Sequence, residues 1–212
     1  MTKDIIIIGA GGHARSVTES VIANGYNIIC YVDKNKFNDS LFSFPIKTNL
    51  MIDKNEEVNI LIAIANNYIR EKIFKDIIEK YNKVIFPNII DPTAKISKYA
   101  KIGKGNMIMV NAFIGANTHI TNFCIINNNA SIDHDCIVEK FSSLAPSVST
   151  GGNVKIGSRS AIGIGAIIKN NISIGQDTLI GASSYLNINA NKSSVYYGNP
   201  AKFIKKVVLI DK

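Results

Sequence analysis

From Ile90 onward the chain repeats with a period of six. The positions Ile90, Ile96, Ile102, Ile108, Ile114, Ile120, Ile126, Ile132, Val138, Leu144, Thr150, Ile156, Ile162, Ile168, Ile174, Ile180 and Leu186 are aliphatic with the single exception of Thr150. Four residues after each comes a mostly small or β-branched residue, as at Ala112, Thr118, Cys124, Ala130, Cys136, Ser142 and Val148. Two inward positions per hexad predict a hexapeptide β-solenoid, in which three hexads make one triangular coil and coils stack through parallel strands at roughly 4.8 Å. Residues 90–186 supply a little over five coils. Glycine follows the aliphatic position at 103, 115, 151, 157, 163, 175 and 181, where the corner between short strands is expected to need permissive backbone.

The first part has other periods. Asp4–Ile8 reads as a buried strand, Gly9–Gly12 as a tight loop, and Ala14–Asn24 as a helix with Val17, Val21 and Ile22 on one face. Asn27–Val32 is a second strand ending at Asp33, an irregular stretch holds Pro45, and Val58–Ile64 is a third strand. A helix from Asn67 to Tyr81 follows, and Lys83–Phe86 closes the sheet. Alternating strand and helix predict a small parallel sheet, shorter than a full dinucleotide fold. The fold class is therefore an α/β, Rossmann-like N-terminal domain over 1–88 followed by a β-solenoid domain over 89–212, with Pro87 and Pro92 bracketing the junction. The tail after Leu186 is expected to end in a short helix or strand.

Composition narrows the class. With 212 residues, 46% hydrophobic and 19% charged, the chain is an ordinary globular one. Its longest apolar run, Ile5–Ile8, falls far short of the roughly 20 residues of a membrane-spanning helix, so neither membrane insertion nor a cleaved signal peptide is expected. Three cysteines, Cys30, Cys124 and Cys136, make no disulfide framework, which leaves the cytoplasm as the default compartment. Of the formal +8 charge, residues 1–88 contribute 11 basic against 10 acidic groups and residues 89–212 contribute 13 against 6. An excess of this kind favours phosphorylated or polyanionic partners. Without Trp or an arginine-rich cluster, a nucleic-acid face is not expected.

The candidate chemistry lies in two places. Gly9-x-Gly11-Gly12-His13, between strand and helix, sets backbone N–H groups at a helix N-terminus where a phosphate is well placed, and Asp33 stands where ribose or base hydroxyls are usually read. Its plainer reading is a strand-to-helix turn. In the solenoid, His134 is flanked by Asp133 and Asp135, carboxylates that fix a tautomer and raise basicity, as a general base requires. One coil further is Gly152 and one beyond it Asn170, so the three stack, and Thr150 opens the same hexad as Gly152. A bare Gly152 N–H beside a base is an arrangement that stabilises the oxyanion of a thioester carbonyl. His119 reads as surface, Cys124 and Cys136 as core, and two solenoid histidines fifteen residues apart make no metal site.

Several motifs in this order resemble one family: Gly9-Ala-Gly-Gly-His-Ala14, Ala63-Ile-Ala-Asn-Asn67 with Arg70, Asn127–Ala130 followed by Asp133-His-Asp-Cys136, the hexads, and Tyr197-Gly-Asn-Pro-Ala-Lys202. The chain resembles the hexapeptide-repeat bacterial sugar acetyltransferases typified by PglD and NeuD. The resemblance implies a left-handed parallel β-helix, acetyl-CoA as co-substrate, and a homotrimer with active sites between subunits. It implies His134 as general base with Asp135 behind it, and Asn127 near the acceptor. Nucleotide-sugar contacts fall to Gly11, Gly12, His13, Asp33, Lys34 and Asn66, and acetyl-CoA contacts to Ser143, Gly152, Ile164 and Asn170, with no metal. Ser143 stands where many members carry a second histidine, Lys34 where an acid is usual, and Ala65 where glycine is common.

The function this implies is N-acetylation of the 4-amino group of a nucleotide-linked 4-amino-4,6-dideoxysugar in bacterial glycan assembly. O-acetylation of a sialic-acid-like sugar is the nearest alternative. A nicotinamide-dependent oxidoreductase and a non-catalytic trimeric scaffold come from other classes. The first is at odds with the short sheet, and the second predicts no binding of acetyl-CoA.

Overall fold

The computed structural model describes residues 3–35 and 38–207, which form two compact units divided between Pro92 and Thr93. In the first, β1 (Lys3–Ile8), α1 (Gly12–Ala23), β2 (Tyr26–Val32), β3 (Ser40–Leu41), β4 (Phe44–Lys47), β5 (Val58–Ile62), α2 (Asn67–Lys80) and β6 (Val84–Ile85) follow one another. The sheet order is β3-β4-β2-β1-β5-β6, parallel throughout except for the β3–β4 hairpin. Ile5, Ile6, Ile7 and Ile8 are all buried, which is why β1 reads as an unbroken apolar run rather than an alternating one. Val17 and Val21 of α1 are fully buried, whereas Ile22 is half exposed, so the apolar stripe of the helix is narrower than its sequence implied.

The stretch around Pro45 is not irregular. It is β4, paired with β2 through Tyr31 and Ile46, and on its other side with β3. Proline is tolerated near a sheet edge because its missing N–H removes few ladder bonds, so its presence hid this strand.

The second unit is a parallel β-helix with three sheets. One carries Met107–Ile108, Ile125–Ile126, Ser143–Leu144, Ala161–Ile162 and Leu179–Ile180; the next runs from Lys95–Ile96 through Phe113–Ile114, Ser131–Ile132, Ser149–Thr150 and Ile167–Ile168 to Tyr185–Leu186; the third runs from Lys101–Ile102 through His119–Ile120, Ile137–Val138 and Lys155–Ile156 to Ser173–Ile174. Paired residues are 18 apart, as in Phe113 with Ser131 and Ser131 with Ser149. The aliphatic column from Ile108 to Leu186 is buried throughout, and Thr150 is buried with it. Each such side chain contributes about 1.5–3 kcal/mol relative to exposure, so the column is the main cohesive element. Beyond the last coil, Ser194–Gly198 runs parallel to Leu179–Ile180 and turns back as Ala201–Lys206; the tail thus ends in strands, and residues 208–212 lie outside the described ones.

The corners explain the composition between strands. A left-handed residue recurs every six positions, among them Asn111, Asn117, Asn129, Asp135, Asn153 and Asn171, with φ between 55° and 61°. Asn and Asp accept this conformation more readily than other side-chain-bearing residues. Phe123, Phe141 and Arg159 also occupy it, compensated along one corner by stacked rings at 5.1 Å and by Arg159 Nε donating to Asp177 at 2.6 Å. The glycines after the aliphatic column serve a different end from the one expected. Gly115 and Gly151 have no left-handed φ; a Cβ on Gly115 would lie 2.7 Å from the Asp133 carbonyl carbon, and one on Gly151 2.8 Å from the Asn170 nitrogen. Close approach of the next coil excludes the side chain. Among the described residues no helix is long and apolar enough to cross a membrane.

Candidate active site

His134 follows the strand pair Ser131–Ile132 and precedes the left-handed corner residue Asp135. The chain turns from one sheet to the next at Asp135, and its carboxylate meets the preceding imidazole: Nδ1 of His134 lies 2.7 Å from Oδ2 of Asp135. The other oxygen, Oδ1, accepts from Nδ2 of Asn117 at 2.6 Å. Asp133 Oδ1 accepts the His134 backbone N–H at 2.8 Å, and the Asp133 N–H donates to the Thr150 hydroxyl at 3.3 Å. The exceptional polar member of the aliphatic column therefore ties down the residue before the histidine.

This surrounding sets the charge state. The Asp135 hydrogen bond, and after it the Asp133 charge, raise the His134 pKa above the ordinary imidazole value, while the Asn117 bond and then His134 lower that of Asp135. The side chains of His134 and Asp135 are 59% and 49% exposed, so both are open to a substrate. With Nδ1 held by a carboxylate, Nε2 is the nitrogen left to take a proton. Gly152 is stacked on the ring: a Cβ there would sit 2.5 Å from Nε2. Asn170, one coil further, is exposed.

The acetyl-CoA candidates Ser143 and Ile164, and the acceptor candidate Asn127, lie elsewhere on the coil. Ser143 is on the first sheet, and Asn127 and Ile164 come just past it, whereas His134, Gly152 and Asn170 come just past the second. Within one chain a full side of the triangle separates the two groups. Ser143 is half-buried, Ile164 is 59% exposed, and Asn127 Oδ1 accepts the Asn128 N–H at 2.8 Å.

In the first unit, Gly11 stands at the N-cap of α1 and gives it no side-chain cap, and the first turn holds no acid, leaving its first N–H groups for a ligand or water. A Cβ on Gly11 or Gly12 would meet nothing within 4 Å, so nothing in the chain itself requires glycine there, and the space suits close approach of a ligand. Gly9 differs, having φ of 102° and Ala63 O at 3.1 Å from its would-be Cβ. Ala10, Gly11, Arg15, Asp33, Asn35, Asn38, Ser40, Leu41 and Ile46 line a cavity of about 120 Å³. Asp33 is engaged at both oxygens, accepting Ala10 N–H at 2.9 Å and Asn35 N–H at 2.9 Å, and so fixes the loop that it borders.

Of the other nucleotide candidates, Gly12 is exposed beside that cavity and Lys34 is exposed outside its lining. Asn66 caps α2, its Oδ1 accepting Ile69 N–H at 3.0 Å. His13 Nε2 is buried and has no hydrogen-bond partner. Burial, followed by the nearby Arg70 charge, holds the His13 pKa down to about 4, so His13 is neutral near pH 7. Arg70, fully buried, donates to Ile64 O at 2.8 Å and to Asn67 Oδ1 at 2.8 Å and locks the loop after β5. Sequence reasoning missed Arg15, Asn35, Asn38 and Ser40, which carry no period or motif, and Asn117, whose signal is its 18-residue spacing from Asp135. A larger cavity of about 330 Å³, bounded by Ile6, Cys30, Lys47, Met51 and Glu57, lies apart from these residues.

Comparison with known proteins bears on both units. Residues 4–77 match the PglD N-terminal domain family. The chain is similar to the GDP-perosamine N-acetyltransferase of Escherichia coli O157:H7, with 32% identity over 111 residues, 52% of this chain and 49% of that protein. It spans about half or less of the length of the curated relatives it matches. Among solved structures, the acetyltransferase domain of PglB from Neisseria gonorrhoeae in complex with acetyl coenzyme A superimposes with a TM-score of 0.89 at 30% identity, covering 96% of this chain and all of that one. A mutant of perosamine N-acetyltransferase from Caulobacter crescentus, in complex with CoA and GDP-perosamine, does so with a TM-score of 0.86 at 27% identity, covering 97% and 99%.

Proposed function

The chain belongs to the PglD-like family of bacterial sugar acetyltransferases, and from that premise we propose that it transfers the acetyl group of acetyl-CoA to the 4-amino group of a nucleotide-linked 4-amino-4,6-dideoxysugar used in glycan assembly. The observation that carries this reading is the His134–Asp135 pair on the exposed corner, with Nδ1 held at 2.7 Å and Nε2 beside Gly152. The neutral amine attacks the thioester carbonyl carbon and the carbonyl π pair moves to oxygen. His134 Nε2 takes the N–H proton, and the backbone N–H of Gly152 stabilises the oxyanion. Collapse expels the CoA thiolate, to which His134 returns the proton. No acyl-enzyme forms.

In this reading the uncapped start of α1 and the cavity beside Gly11 take the nucleotide, and the basic surplus of residues 89–212 favours the phosphates of CoA. The separation of Ser143 and Ile164 from His134 by one side of the coil supports a homotrimer, in which one subunit's first-sheet corner meets the next subunit's second-sheet corner. Both binding groups then belong to one site without either moving.

The reading is tested by incubating the protein with radiolabelled acetyl-CoA and GDP-, UDP- or dTDP-linked 4-amino-4,6-dideoxysugars. Product carrying a hydroxylamine-stable amide supports it. A hydroxylamine-labile ester on a sugar hydroxyl would replace N- by O-acetylation.

A further inference from the structure

The left-handed residues of the corner that holds the base form one column, Asn117, Asp135, Asn153 and Asn171, each one coil above the last. Their conformation alone accounts for a run of Asn and Asp, but their side chains are not used alike. Asn153 Nδ2 donates upward to Asn171 Oδ1 at 2.8 Å, one amide to another. Asn117 Nδ2 donates to Oδ1 of Asp135 at 2.6 Å, the single acid of the column, whose Oδ2 is 2.7 Å from His134 Nδ1. Asp135 is half exposed, so packing does not hold its carboxylate; the bond from below and the imidazole do.

We propose that Asn117 is a positioning residue: its amide, from one coil below, fixes the Asp135 carboxylate in the rotation at which the second oxygen meets Nδ1 of His134. The inference rests on the reading of His134 as the base. Two opposed effects follow from such a bond. An amide donor withdraws charge from the carboxylate and weakens its hold on the imidazole, while a fixed rotation keeps that hold in place; a positioning role requires that the second outweigh the first. The charged groups that bear on His134 are Asp133 and Asp135. The neighbouring corners, Ala116–Asn117 below and Gly152–Asn153 above, meet this one through Asp135 N to Ala116 O at 3.0 Å and Asn153 N to His134 O at 2.9 Å and bring no charge.

The test is Asn117→Gly, since glycine keeps the left-handed backbone and removes only the amide, with Asn171→Gly as the equivalent loss two coils beyond Asp135. His134 is titrated by NMR in each protein, and kcat/KM is measured against pH. In Asn117→Gly the His134 midpoint is expected to move down toward that of a free imidazole, the acid limb of kcat/KM to move to lower pH with it, and the plateau to fall about tenfold; Asn171→Gly leaves all three unchanged. A midpoint that stays or rises in Asn117→Gly, or one that falls while the plateau holds, would overturn the inference. Failure of the underlying reading is distinguishable, because a wild-type protein without acetyl transfer leaves the titration comparison intact.

Discussion

Replacing Gly152 with alanine adds one methyl group at the place where the next coil meets the base. That carbon would sit 2.5 Å from Nε2 of His134, against an ordinary contact of about 3.5 Å, so the ring must retreat by about 1 Å. It has room to do so, being 59% exposed, and Gly152 has no left-handed φ that alanine would strain. Folding is therefore retained, and a thermal midpoint close to that of the wild type is expected. The imidazole, however, is pushed from the position in which Asp135 holds Nδ1 and Nε2 faces the acceptor, and a displacement of about 1 Å costs on the order of a hundredfold in rate. Thiol release from acetyl-CoA, followed with a chromogenic disulfide at saturating nucleotide-sugar, reads kcat directly, and the acetyl-CoA KM measured alongside separates a displaced base from lost co-substrate binding. A Gly152→Ala protein that is folded and turns over at the wild-type rate would refute the placement of the reacting amine against Nε2.

Three further outcomes follow from the same geometry. Gly11→Val fills space in which the chain itself has no atom within 4 Å of a Cβ, so it should leave the thermal midpoint in place, raise the nucleotide-sugar KM by about tenfold or more and spare the acetyl-CoA KM in steady-state kinetics. His13 titrates at about 4 in the folded protein and near 6.5 when unfolded, so above both values it contributes no pH dependence. As pH falls between them the unfolded chain takes up a proton that the folded one refuses, and stability drops by up to about 3 kcal/mol; urea unfolding at several pH values should show this slope reduced in His13→Leu. Finally, His134→Ala and Ile164→Arg should each be inactive alone, but mixed subunits should regain activity at about a quarter of their sites if corners from two subunits build each site; no recovery in mixed assemblies would place the whole site within one chain.

The solenoid was legible in the sequence because its period is short and its inward column tolerates almost nothing but aliphatic side chains, as the burial from Ile108 to Leu186 shows. The same arithmetic placed Gly152 over His134, since adding 18 to a residue number moves one coil along the stack. What it could not give was direction: Asn117 lies on the same ladder, yet only side-chain rotation decides that its amide meets Asp135 while that of Asn153 meets Asn171. The glycines after the aliphatic column were visible but misread, because close approach between coils and a left-handed φ select the same residue. In the first unit Pro45 concealed β4. The residues lining the cavity beside Asp33, such as Asn35, Asn38 and Ser40, come from a connection whose polar side chains follow no periodicity.

The central claim is that His134 is the base of an acetyl transfer. It is tested most directly by following CoA release and acetyl-CoA binding in the wild type and in His134→Ala, with GDP-, UDP- and dTDP-linked 4-amino-4,6-dideoxysugars and free sialic acid offered in parallel. The account predicts release with one nucleotide-linked amino sugar, a loss of about 10²–10⁴-fold in His134→Ala, and acetyl-CoA affinity nearly equal in the two proteins. Wild-type turnover in His134→Ala, or release with none of the acceptors, would contradict it.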